Sequence, residues 1–218
     1  MVTYATARLP SPHEHSSMYR VFLLSPAHAG GKRAELLLRD GATFPLAARL
    51  RGVQGIALGE AFSFMSGLYF RGKLAYAQQF ARPPEGLAGA LVITANRGLL
   101  PAETPVRAED LRALGVVDIR PTEPRYRAPL LADLDRLRST PDLDPVLLGS
   151  VATGKYVDVL LEALGERLRF PSAFVGRGDM SRGGLLLRAA RSAEELAYIP
   201  VHGAERRGPR PPRLEPAR

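Results

Sequence analysis

Pro145–Leu168 reads PVLLGSVATGKYVDVLLEALGERL, and this stretch decides the fold. The apolar run Pro145–Leu148 predicts a buried strand, and Gly149–Lys155 (GSVATGK) predicts the turn that follows it. In Tyr156–Leu168 the residues Val157, Leu160, Leu161, Leu164 and Leu168 recur at helical spacing, which predicts an amphipathic helix. A strand running directly into a helix is the building unit of parallel sheets, because parallel neighbours need a crossover connection.

The same alternation extends in both directions. Tyr19–Ser25 (YRVFLLS), Ala90–Ala95 (ALVITA) and Phe170–Val175 are further short apolar runs, read as buried strands. Val116–Ile119 is a possible strand and Ala197–Val201 an edge strand. Phe44–Arg51, Glu109–Leu114 and Tyr126–Arg138 are read as helices, while Ala34–Arg39 and Leu185–Arg191 fit either helix or strand. Glu60–Ala81 is the clearest helix: Phe62, Met65, Tyr69, Tyr76 and Phe80 define one apolar face, and Pro83-Pro84 ends it. The expected fold is a single α/β domain over 18–204, a three-layer sandwich with a mainly parallel central sheet. Residues 1–17 are expected to be a flexible leader. Glu205–Arg218 (ERRGPRPPRLEPAR), with five arginines and four prolines, is expected to be an extended tail.

Composition removes several function classes. With no cysteine in 218 residues, disulfides, thiolate catalysis and cysteine-ligated metals are excluded. The four histidines stand at 13, 15, 28 and 202, so no His-rich metal centre and no cofactor are expected. No apolar run has the length of a membrane span, and Met1–Ser17 lacks the apolar core of a signal peptide; a cytoplasmic protein is expected. The net charge of +8 favours a polyanionic partner, with DNA preferred to RNA. A genome that writes Arg wherever a charge is tolerated is the ordinary alternative. Only three of the 30 basic residues are lysines, Lys32, Lys73 and Lys155, and each follows a glycine. A retained lysine in an arginine-using chain points to a need for a compact or titratable amine.

In parallel sheets ligands bind beyond the carboxyl ends of the strands. Four predicted strands end in polar, glycine-containing loops: SPAHAGGKR, NRG, GSVATGK and GRGDMSRGG. One composite site is therefore expected. Ser150, Thr153 and Lys155 in GSVATGK follow the spacing of a phosphate-cradling loop, although Tyr156 stands where that motif needs Ser or Thr for magnesium. Arg177 and Arg182 suit phosphate or base-edge contacts, and Asp179 between them suits a general base. Asn96 and Arg97 follow the Ala90–Ala95 strand and could read a base edge or a phosphate, or simply form a turn. Lys73 falls on the apolar face of the Glu60–Ala81 helix, where burial would lower its pKa toward a nucleophilic amine. An ion pair with Glu60, or a stem that reaches water, is the structural alternative.

Two likenesses sharpen this expectation. SPAHAGGKR, SGLYFRGKLAYAQQF (66–80), VITANRGLL (92–100) and VLLGSVATGKYVDVLL (146–161) together resemble bacterial proteins distantly related to the base-modifying domain of archaeosine synthases. That family's cysteine-containing motif is missing here. Ala57–Ser63 (ALGEAFS) is similar to the A-x-G-x-x-F-S fragment of uracil-DNA glycosylases, whose G-x-D-P half is also missing. Both imply chemistry at a nucleobase.

The expectation is a nucleobase-processing enzyme acting on nucleic acid, with a DNA N-glycosylase in first place. Tyr69 would stack the flipped base, and Asp179 or Glu60 would activate water, or Lys73 would attack the sugar. Asn96 would read the base and Lys155, Arg177 and Arg182 would hold flanking phosphates, with Lys32 and Arg97 among the substrate-binding residues. A non-catalytic nucleic-acid or nucleotide-binding module, and a transferase for a phosphorylated small molecule, are the alternatives.

Overall fold

The computed structural model describes residues 19–212 and residue 214. The expected leader lies outside the described residues. Strand β1 (Tyr19–Leu24) is the centre of a six-stranded sheet. Its parallel neighbours are β3 (Ala90–Ile93) on one side and β6 (Leu143–Leu148) on the other. Beyond β6 runs β7 (Arg169–Pro171), also parallel. Antiparallel strands close both edges, β4 (Leu99–Pro101) beside β3 and β8 (Tyr198–Pro200) beside β7. The last four residues of β1 and all of β3 and β6 are buried, as expected for strands covered on both faces. β2 (Ile56–Ala57) and β5 (Pro105–Val106) form a separate small antiparallel pair.

Crossovers between parallel strands are right-handed, so the direction of each step selects the face that carries its helix. The chain steps from β1 to β3 through α1 (Lys32–Leu38), α2 (Pro45–Arg51), α3 (Leu58–Ser66) and α4 (Leu68–Phe80). α4 rests on β1 and β3. The chain then reverses past β1 to β6, through α5 (Ala108–Gly115) and α6 (Pro124–Ser139), and on to β7 through α7 (Gly154–Leu164). α6 rests on β6 and packs against α7. The final helix, α8 (Asp179–Ser192), returns to pack against α4. The three-layer α/β sandwich of a single domain is what the structure has.

Several local expectations need correction. Glu60–Ala81 is two helices, because Gly67 adopts φ 63° and ψ −128°, a conformation that breaks the helix and that only glycine takes easily. Val116–Ile119 is not a strand. Val116 is 73% exposed, so the residue that opens the run has no sheet to face. The Gly176–Gly184 loop is shorter than its composition implies, since α8 begins at Asp179 and includes Gly183 and Gly184. Gly183 earns its place by contact: a Cβ there would lie 2.8 Å from the Leu68 carbonyl oxygen, and one on Gly72 would lie 2.6 Å from the Gly183 carbonyl oxygen. The backbones of α4 and α8 touch at these two glycines.

The described part of the tail lies against the domain. The Pro209 carbonyl abuts Gly176, and Arg207 donates to the Ala152 carbonyl at 3.4 Å.

Candidate active site

The chain leaves β1 toward β3 and leaves β6 toward β7, so the connections diverge beyond the carboxyl ends of β1 and β6. Such a switch point leaves a crevice that helices do not fill. A cleft of about 750 Å3 opens there. Ser25, just past β1, and Ser150, just past β6, form its base. The Pro26–Gly30 loop and Phe62, Met65, Ser66 and Tyr69 of α3 and α4 form one wall. Leu114, Gly115 and 117–120, which overlap the expected strand at Val116–Ile119, contribute a second wall. Thr153 and Lys155 at the start of α7, and Asp179 at the start of α8, stand around the mouth.

Of the residues expected to form a site, Tyr69, Ser150, Thr153, Lys155 and Asp179 line this cleft. Lys73 and Arg182 lie behind it. Arg182 is 5% exposed, and its Nε and Nη2 both donate to the Phe174 carbonyl, at 3.3 and 3.2 Å. Its Nη1 reaches Asp179 at 3.4 Å. Arg182 therefore secures the start of α8 and offers no donor to a phosphate. Arg177 has a similar task, donating to the Ala173 carbonyl and to the Ser181 hydroxyl.

The other candidates stand apart. Glu60 accepts from both terminal nitrogens of Arg49, at 2.6 and 2.9 Å, and does not line the cleft. The ion pair that the sequence allowed between Glu60 and Lys73 is thus taken by an arginine. Arg97 is held by Asp110 at 2.7 Å. Asn96 faces a second groove with Val116, Pro124 and Pro129, where its Nδ2 donates to the Ala113 carbonyl and its buried Oδ1 has no partner among the described residues. Lys32 is exposed at the first position of α1, outside the cleft lining.

The floor of the cleft holds the least ordinary chemistry. Lys73 is 1% exposed. Its Nζ lies 2.5 Å from the Ser25 carbonyl oxygen and 2.9 Å from Ser25 Oγ, over the rings of Tyr69 and Phe70 at 4.4 and 4.7 Å. Among the described residues no carboxylate comes within ion-pair distance of it. Burial pushes the Lys73 amine down to about 7; Asp179 opposes the shift and Arg182 adds to it. Neither expected escape, by ion pairing or by reaching water, is taken. Burial also raises the Tyr69 phenol, and the neighbouring Arg182 guanidinium opposes the shift. The Tyr156 hydroxyl accepts from the Ser150 amide at 2.8 Å and interacts with the Ser25 side chain.

Ser25 is the site residue that sequence reasoning missed. It stood inside a loop singled out for Lys32, and its partner Lys73 is 48 residues away. The available signal was position: a hydroxyl at the end of the central strand of a parallel sheet. Among the described residues no group of three or more His, Asp or Glu side chains is placed to hold a metal ion, and no helix is long and apolar enough to cross a membrane. The chain matches no protein-family model, no curated protein and no solved structure.

Proposed function

We propose that this protein is a nucleobase-processing enzyme acting on nucleic acid, an N-glycosylase that removes a modified base from DNA by attack of water. The observation that carries the reading is the cleft at the switch point, apolar on the wall of Phe62, Met65 and Tyr69 and ionic at its mouth. A flat heterocycle suits the apolar wall, and a phosphate suits the mouth, where Lys155 stands at the N-terminus of α7. The excess of 30 basic over 22 acidic residues supports a polyanionic partner.

Two carboxylates line the cleft; Asp118 is paired with Arg120 at 3.2 Å, and Asp179 is assigned to activate water. Its side chain is 67% exposed at the cleft mouth, and Arg182 holds it from behind. Lys73 has no surface on the cleft, so a covalent imine between its amine and the sugar is disfavoured. The expected product is an intact abasic site and a free base. Incubation with DNAs carrying varied base modifications, with mass spectrometry of the released material, tests the reading. Release of a base that disappears in Asp179→Asn is expected; a panel from which no base is freed ends it.

One observation favours a second reading, a nucleotide-binding module without turnover. Ser150, Thr153 and Lys155 line the cleft ahead of a helix N-terminus whether or not chemistry follows. Saturable binding of free nucleotides that is indifferent to Asp179→Asn would select it.

A further inference from the structure

Lys73 and Ser25 take no part in the reaction proposed above, yet they form the most deliberately enclosed polar pair in the cleft. Ser25 is fixed from three sides. Its amide donates to the Leu148 carbonyl at 3.2 Å, which extends the β1–β6 ladder by one residue. The next residue, Pro26, carries no N–H and ends the strand. Gly149 leaves room for the Ser25 side chain, since a Cβ at Gly149 would lie 2.9 Å from the Ser25 Cβ. Lys73 approaches from below, on the helix that rests on β1.

An ammonium buried in this way without a carboxylate is costly, whereas a neutral amine fits the contacts observed. A neutral amine has two N–H groups and one lone pair. One N–H satisfies the Ser25 carbonyl at 2.5 Å; the 2.9 Å contact to Ser25 Oγ, in which the charged amine donates, can reverse once the amine is neutral, its lone pair accepting from the hydroxyl. A hydroxyl that gives its hydrogen bond to a buried amine, at the base of an open cleft, has the arrangement of an activated nucleophile.

We infer that Ser25 and Lys73 are a nucleophile–base pair, and that the cleft takes an acyl substrate, an ester or amide whose carbonyl carbon is attacked by Ser25 Oγ. As the Oγ–C bond forms, the hydroxyl proton passes to Lys73 Nζ. The bond from the acyl carbon to the leaving alcohol or amine breaks, and Lys73 returns that proton to the leaving group. Water then attacks the acyl carbon and yields a proton to Lys73; the Oγ–C bond breaks, Lys73 passes that proton to Ser25 Oγ, and the acid leaves with the hydroxyl and the neutral amine restored. Tyr156 is a positioning residue, its hydroxyl fixed by the Ser150 amide and in contact with the Ser25 side chain. The groups that bear on Lys73 are Tyr69 of its own helix and Asp179 and Arg182 of α8.

This activity stands apart from base release, and its test uses no nucleic acid. The full chain is treated with a fluorophosphonate, a reagent that phosphonylates activated serines, and adducts are located by peptide mass spectrometry. One adduct on Ser25 is expected, forming faster as pH rises through a single ionisation near the Lys73 value of about 7. Lys73→Met and Lys73→Arg should each slow labelling by about 10²–10⁴-fold, since neither side chain takes the proton. Ser25→Ala should remove the adduct. A wild-type chain that gives no Ser25 adduct overturns the inference, and so does a labelling rate that Lys73→Met leaves unchanged. If the lysine variants fail to fold, the wild-type pH profile decides: a rate flat between pH 6 and 8 also overturns it.

Discussion

The two ends of β1 treat buried charge in opposite ways. At its amino end, Asp144 on neighbouring β6 has a side chain only 3% exposed, and Arg20 holds it at 2.8 Å. Arg20 in turn reaches Glu195 at 2.5 Å, and Arg169 stands 4.0 Å from Asp144. Burial works against the Arg20 charge, yet Glu195 and Asp144 more than offset it. At the carboxyl end, Lys73 is at least as deeply buried and has only a serine and two aromatic rings. The first arrangement holds its charges in place. The second leaves an amine free to exchange a proton. Buried charges held by opposite charges mark structure, and a titratable group without an ion-pair partner beside a cleft marks chemistry.

The largest test of that contrast is at the paired end. Asp144→Ala strips the buried carboxylate from between Arg20 and Arg169, leaving Arg20 with Glu195 alone, and should cost about 3 kcal/mol in urea unfolding. A loss within 1 kcal/mol would mean that the network is not holding the sheet together. Gly183→Ala comes next. Its Cβ would press on the Leu68 carbonyl and the Tyr69 backbone at 2.8 Å, so α8 must move, at about 1–3 kcal/mol. Because α8 carries Asp179 and Arg182, the same variant should change the Lys73 ionisation, read by NMR of the Lys73 Cε protons.

Lys73 itself makes stability depend on pH. The folded amine loses its proton above about 7, while the unfolded one keeps it to about 10.5. Between those values the unfolded chain binds more protons, so stability rises with pH, and the gain is lost as pH falls to 7. The rise from pH 7 to 9 should be about 2 kcal/mol in the wild type and should flatten in Lys73→Met. An unchanged slope in that variant would return Lys73 to an ordinary charge. The smallest effect belongs to the mouth: Lys155→Ala should alter stability by less than about 0.5 kcal/mol. It should nevertheless lower the salt dependence of single-stranded DNA binding by about one unit.

What was legible in the sequence follows from the range of the forces involved. Apolar runs such as Tyr19–Ser25 and Pro145–Leu148 marked the strands because burial on both faces leaves a continuous local signature. The cleft was legible as a set of strand-end loops, and Tyr69, Ser150, Thr153, Lys155 and Asp179 do line it. Periodicity did not reveal the break at Gly67, because Phe62, Met65, Tyr69 and Tyr76 keep helical spacing across it. Gly183 looked like loop material because its purpose is contact with α4, a partner more than 100 positions away. Asn96 and Arg97 were placed correctly after a strand, yet their side chains turn to Ala113 and Asp110 instead of the cleft. Side-chain direction depends on neighbours that no local pattern encodes.

The three-residue strands that flank the sheet, β4 and β8, each finish on a proline, Pro101 and Pro200. A proline cannot donate to an incoming backbone, and so short a rim offers little to copy. Lateral growth by strand addition, the usual route from one sheet to an aggregate, is thereby blocked on both sides.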